Sequence, residues 1–116
     1  MAVSPYFLVK DGAAFLSFMT TVFDATVAAV HHNDNGGIMH GEVNIDDSIV
    51  MFGESTSAYP PETGSVFVYV KDTDETYKKA MAAGAVSRQE PMNKDYGRAA
   101  GVRDPFGNTW WITQVL

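Results

Sequence analysis

His40-Gly41-Glu42 sets an imidazole and a carboxylate two residues apart. On a strand, residues i and i+2 face the same way, so the two side chains can meet. Such a pair could supply two metal ligands or a proton-transfer couple. It could equally be a hydrogen-bonded pair that satisfies itself in a half-buried place, and two ligands alone do not make a metal site. Trp110-Trp111 is the second chemically loaded stretch. Neighbours on a strand point to opposite faces, so one indole packs into a core and the other faces something else, either a second covered layer or a ligand. Trp111 could stack on a planar or cationic group, or plug a collapsed cavity or a dimer interface. Arg98 could clamp an anion through its planar fork or pair with Glu42. His31-His32 precedes a Gly-rich turn and reads as a solvated pair.

These residues need strands to aim them. Ser4–Val9 reads as a strand with Pro5 at its start, where a missing N–H is tolerated. Asp11 can cap the helix that follows. There Phe15, Phe18, Met19, Val22 and Phe23 fall at i, i+3, i+4, i+7 and i+8, one apolar stripe facing a core. Thr26–His31 is a second strand. Ile38–Ile45 and Ser48–Gly53 form a hairpin around Asp46-Asp47. A two-residue loop pairs Ile45 with Ser48, Val43 with Val50 and Glu42 with Met51. Alternation then puts Met39, Val43, Ile45, Val50 and Phe52 on an apolar face. His40, Glu42, Asn44, Ile49 and Met51 take the mixed face. Ser55–Gly64, with Pro60, Pro61 and Gly64, reads as a linker.

The second half repeats the first. Val66–Val70 is a strand, Asp72 and Glu75 have capping-box spacing, and Tyr77, Ala80 and Met81 give a helical stripe closed by Gly84. Val86–Pro91 is a short strand and Asn93-Lys94-Asp95 a loop. Tyr96–Arg103 and Asn108–Val115 form a closing hairpin around the turn residues Asp104-Pro105-Phe106-Gly107. Val9-Lys10-Asp11 recurs as Val70-Lys71-Asp72, an offset of 61 (70 − 9), and Asp24-Ala25 matches Gly84-Ala85. The expected fold class is α+β: two tandem βαβββ modules, about 1–57 and 65–116, in a single domain. They would form a cupped, mostly antiparallel sheet with helices outside and a cavity between the modules.

Composition narrows the function classes. With 46% apolar residues, the 116-residue chain can bury a core. It has no Cys, which excludes disulfides and thiolate sites and fits a reducing cytoplasm. No apolar run reaches the roughly 20 residues of a membrane helix, and the start lacks the charged and apolar regions of a signal peptide. A net charge of −6 argues against nucleic-acid binding and is compatible with a cationic ligand.

The duplicated plan, Val9-Lys10-Asp11 and Phe23-Asp24-Ala25 around the first helix, Gly84-Ala85 after the second, and Asp104-Pro105-Phe106-Gly107-Asn108 before Trp110 together resemble the vicinal oxygen chelate superfamily, the glyoxalase/bleomycin-resistance/dioxygenase fold. His40-Gly41-Glu42-Val43 with Asp47-Ser48, and Tyr96-Gly97-Arg98, resemble its demethylubiquinone-methyltransferase-like branch. Metal-dependent members carry four His, Glu or Gln ligands. The resemblance puts those places at Ser4, Met51, Ser65 and Trp111, none of which suits a divalent cation. It therefore implies no metal and no cofactor. The remaining expectation is metal-independent binding of a small, partly aromatic or cationic molecule, in a homodimer. Tyr6, His40, Glu42, Met51, Phe67, Tyr69, Arg98 and Trp111 would line the site, with Ser4, Leu8, Ser65 and Thr113 beside them. The alternative is an enzyme of lyase, dioxygenase or transferase type that is metal-free or uses His40 and Glu42.

Overall fold

The computed structural model describes residues 2–116. Met1, the first residue of the start read as free of a signal peptide, lies outside them. The first unit runs to Thr63 and the second from Gly64. In chain order the elements are β1 (Tyr6–Val9), α1 (Gly12–Phe23), β2 (Thr26–His32), β3 (Ile38–Ile45) and β4 (Ser48–Glu54), then β5 (Ser65–Tyr69), α2 (Thr73–Ala82), β6 (Val86–Lys94), β7 (Gly97–Arg103) and β8 (Thr109–Gln114). Each unit is therefore βαβββ. The strand orders are β1-β4-β3-β2 and β5-β8-β7-β6, so the repeat extends to topology. In each sheet the first strand lies parallel to its neighbour and the other pairings are antiparallel. Among the described residues no helix is long and apolar enough to cross a membrane.

In the first unit α1 packs its aromatic stripe on one sheet face. Phe15, Phe18, Met19 and Val22 are buried against Phe7, Val9, Val43 and Phe52. Phe15 meets Phe7 and Phe52 edge-on, each at 5.4 Å between ring centroids, the arrangement ring quadrupoles favour. Asp11 caps the helix by accepting from Ala14 N at 3.0 Å. Glu54 Oε2, on β4, accepts from Gly12 N at 2.9 Å, so the sheet also satisfies the helix start. The β3–β4 hairpin has the expected register: Ile45 opposite Ser48, Val43 opposite Val50, Glu42 opposite Met51.

One face assignment is corrected. Met39 is 60% exposed, and Ile38 is buried in the place expected for it. On the β2 side His31 pairs with His40 but His32 pairs with Ile38, so Met39 is an extra residue in a β-bulge. A bulge shifts alternation by one, which turns Ile38 towards the helix.

The second unit builds its core differently. Its helix buries Thr73, Thr76 and Ala80, while Met81 of the expected stripe is exposed. The bulk comes from the sheet instead: Trp110, Ile112 and Val102 are fully buried. A tryptophan on β8 leaves room only for small helix residues. Thr73 locks the helix start to the sheet, its N–H donating to Gln114 Oε1 at 3.0 Å and its hydroxyl to Arg98 O at 2.7 Å. Asp72 caps α2 by accepting from Glu75 N at 3.1 Å. The expected loop at Asn93–Asp95 is also corrected. Strand β6 continues through Pro91 to Lys94. It is the edge strand, where a proline removes no needed hydrogen bond.

The tip between β7 and β8 is organised by Asp104, which is buried. Its Oδ1 accepts from Phe106 N and Asn108 N, both at 2.9 Å, and its Oδ2 from Trp110 Nε1 at 2.8 Å and Asn108 Nδ2 at 3.2 Å. Gly107 follows with a φ of 91°, the left-handed conformation such a turn needs.

Candidate functional site

In each unit the helix leaves one sheet face bare, and the chemically loaded residues gather on those two bare faces. On the first, Tyr6, Met51 and Glu42 stand in a row across β1, β4 and β3, since Met51 pairs with both Tyr6 and Glu42. His40 Nε2 lies 2.9 Å from Glu42 Oε2, with both side chains about 30% exposed. A carboxylate acceptor favours the proton on Nε2 and leaves the Nδ1 lone pair as the basic nitrogen. The Tyr6 and His31 rings stand 5.9 and 6.2 Å from that of His40. Among the described residues no three His, Cys, Asp or Glu side chains are grouped to hold a metal.

On the second face Trp111 is the centre. Its Nε1 donates to Ser65 Oγ at 3.0 Å on β5. At the other end, its six-membered ring lies over Gly101 of β7, so close that a β-carbon there would come within 2.5 Å of Cζ3. The indole therefore spans β5 to β7. Glycine at 101 permits this; the repeat places Glu42 at the corresponding position of the first unit, opposite Met51. Phe67 pairs with Trp111 and is 47% exposed. Tyr69 and Tyr96, both more than half exposed, have ring centroids 5.3 and 6.0 Å from Phe67. Thr113, on the same face, is fully buried, and its hydroxyl has no hydrogen-bond partner among the described residues.

Arg88 was not singled out by sequence, and it completes this face. Its guanidinium carbon lies 5.8 Å from the Trp111 ring centroid, and its Nη1 donates to Thr109 Oγ1 at 3.2 Å. A β-bulge aims it there: Ser87 pairs with Val102 and Gln89 with Gly101, leaving Arg88 as the extra residue. The first unit has the same bulge at Ala28, between Val27 and Ala29. The backbone device is thus duplicated, with alanine at the bulge in the first copy and arginine in the second.

Of the expected site residues, Tyr6, His40, Glu42 and Met51 share the first bare face, and Phe67, Tyr69 and Trp111 share the second. Arg98 is on neither. It lies under α2, forked onto Asp74 with Nε–Oδ2 at 2.6 Å and Nη2–Oδ1 at 3.0 Å. The physical reason is register. The hairpin tip makes Arg98 pair with Gln114 and Ala99 with Thr113, so Arg98 falls on the helix side. The hydrogen bonds from Arg98 hold the Asp74 carboxyl below its usual pKa. A depressed folded value means the pair stabilises at neutral pH and that this contribution fades as pH falls through the folded pKa. We expect the Asp74 carboxyl carbon to titrate at lower pH in the wild type than in Arg98→Ala, as followed by NMR. Identical titrations would show that the fork does not persist in solution.

The metal-ligand places implied by the resemblance do not fit a metal. Met51 offers a thioether, and Ser65 and Trp111 spend their polar atoms on each other.

The family model described as Glyoxalase/Bleomycin resistance protein/Dioxygenase superfamily matches residues 4–112. The chain belongs to that superfamily. An uncharacterized protein of Mycobacterium bovis is 27% identical over 99% of this chain and 84% of its own length. Among solved structures, TioX from Micromonospora sp. ML1 is 25% identical with a TM-score of 0.76, covering 99% of this chain and 100% of that one. A putative 3-demethylubiquinone-9 3-methyltransferase, PhnB protein, from Bacillus cereus has a TM-score of 0.77 at 15% identity, covering 99% and 100%. TnmS3, an antibiotic binding protein from Streptomyces sp. CB03234, has a TM-score of 0.71 at 20% identity, covering 100% and 99%. The last two likenesses are of fold.

Proposed function

We propose that this superfamily member binds a small, planar aromatic molecule without a metal, on the bare face of its second unit. The observation that carries the reading is the posture of Trp111. Its indole is held at both ends, by Ser65 and by the absence of a side chain at Gly101, and flanked by the exposed Phe67 ring. A pre-positioned aromatic platform loses little entropy on binding, and small-molecule sites are typically apolar with a few oriented polar groups. TnmS3, a protein of this fold, is an antibiotic binding protein, which supports a small-molecule reading. Tyr6, His40, Glu42 and Met51 belong to the proposal as a second, more polar surface. Pairing of two chains and a cytoplasmic setting belong to it too, the first from the family resemblance and the second from the absence of Cys.

The test is a titration of intrinsic fluorescence with planar aromatic compounds in the presence of chelator. Wild type should show saturable quenching, and Trp111→Ala should lose roughly five- to 150-fold in affinity, since aromatic stacking contributes on the order of 1–3 kcal/mol. Equal affinity in the two proteins would move the ligand elsewhere.

The hydrogen bond between His40 and Glu42 favours a second reading, an enzyme in which the His40 Nδ1 takes a proton from a bound substrate while Glu42 fixes the tautomer. Turnover that survives chelator and is lost in His40→Ala would establish it; turnover unchanged in that variant would exclude it.

A further inference from the structure

We infer that the ligand of the Trp111 face carries an acidic group, and that Arg88 is its anchor: the site takes an aromatic carboxylate or a comparable aromatic anion. This rests on the aromatic-platform reading above and adds to it the sign of the ligand's charge. The chain's net charge of −6 suggests a cation, but local placement says the opposite. Across β5, β8 and β7 the bare face of the second unit carries no acidic residue, and β6, the edge strand that supplies Arg88, also contains Glu90, which pairs with no arginine among the described residues. Strands β6 and β7 bring two arginines to this face. Arg88 lies over the indole ring, and Arg103 stands on the same face, paired with Thr109, the residue that holds Arg88. The third arginine, Arg98, is neutralised by Asp74 on the other side of the sheet. Among the described residues neither Arg88 nor Arg103 has a carboxylate partner.

The geometry suits a bidentate contact. A guanidinium presents five N–H donors in a plane, and Arg88 gives one of them, on Nη1, to Thr109. That single bond fixes the side chain beside the indole and leaves the outer edge of the fork for two parallel hydrogen bonds to a carboxylate. A ligand ring on the Trp111–Phe67 surface would bring an attached carboxylate to that edge. The placement is built in at the level of the backbone. A regular β6 would point Arg88 and Gln89 to opposite faces, and the bulge between Ser87 and Gln89 turns Arg88 onto the indole.

The test compares three probes of one shape: 2-naphthoate, 2-naphthamide and 2-naphthylmethylammonium. Calorimetry on wild type, Arg88→Ala, Arg88→Lys and the double variant Arg88→Ala/Arg103→Ala reads their dissociation constants, with melting temperatures confirming that each variant folds. The expected wild-type order is naphthoate tighter than naphthamide by about tenfold or more, and the ammonium weakest, as a charge-assisted bidentate pair implies. Arg88→Ala should abolish the preference for the carboxylate while leaving naphthamide binding within about twofold. Arg88→Lys should restore only part of it, because an ammonium cannot make the fork. Amide and carboxylate binding equally to wild type, or the ammonium binding tightest, would overturn this inference and leave the aromatic platform standing. Binding of none of the three would overturn both.

Discussion

Replacing Asp104 with alanine should destabilise the second unit by about 4 kcal/mol, the largest stability effect expected from a single polar side chain here. The carboxylate is 3% exposed and accepts four hydrogen bonds. Two come from backbone N–H groups of the tip, one from the Asn108 amide and one from the buried Trp110 indole. Alanine removes every acceptor at once and strands the donors away from water, each costing about 1–3 kcal/mol before relaxation. The tip would lose the link that ties it to the core tryptophan. The loss would spread, because Asn108 Oδ1 also accepts from Gly64 N at the start of the unit. Asp104→Asn should be milder but still costly, by about 2 kcal/mol, since an NH2 group would face one pair of donors. Urea denaturation followed by tryptophan fluorescence measures both. A midpoint for Asp104→Ala that shifts by less than about 1 kcal/mol equivalent would mean that water replaces the carboxylate.

The same stretch shows what a sequence can carry. Asp104-Pro105-Phe106-Gly107-Asn108 is local turn chemistry, so the hairpin and the division of labour between Trp110 and Trp111 could be read directly: Trp110 is fully buried and Trp111 is partly exposed. The helices were legible for the same reason, since Asp11 and Asp72 are caps and the α1 stripe has helical spacing. The duplicated order of elements followed from Val9-Lys10-Asp11 and its echo, and the β3–β4 register from a two-residue loop. What failed was parity. Each face assignment assumes an unbroken period of two, and one extra residue inverts everything beyond it. The bulge at Met39 exchanged Met39 with Ile38, and the odd length of the β7–β8 tip sent Arg98 to the helix side, while Arg88, in a further bulge, had been given no face at all. Bulges have no sequence signature as strong as a cap, because the backbone strain is spread over several ordinary residues. The total charge of −6 is silent on any single face for a related reason. It counts every carboxylate in the chain, whereas a ligand meets only those on its own face.

Gly41→Ala and Gly101→Ala should separate two kinds of close contact that look alike in distance. At either position the added methyl would come 2.5 Å from an aromatic atom, Phe52 Cε1 or Trp111 Cζ3. Real contacts are never so short, so the ring must move. Phe52 is fully buried and held edge-on against Phe15, with α1 behind it. It has nowhere to go, and overpacking a closed core costs about 3 kcal/mol. Trp111 is only partly covered, so its ring can swing away from the sheet. That movement breaks the Nε1–Ser65 hydrogen bond and exposes the indole, at a cost of about 1 kcal/mol. The expected pattern is a large loss of stability with unchanged tryptophan emission for Gly41→Ala. For Gly101→Ala it is a small loss of stability with red-shifted emission and weakened aromatic binding. Urea midpoints and emission spectra on both variants decide it, and a larger stability loss for Gly101→Ala would contradict the assignment of Trp111 to an accessible face. The contrast follows from the repeat itself. The first unit puts its aromatic ring on the helix side of β4, where it holds the fold together, and the second adds one on the bare side of β8, where a ring fixed against glycine stays partly exposed.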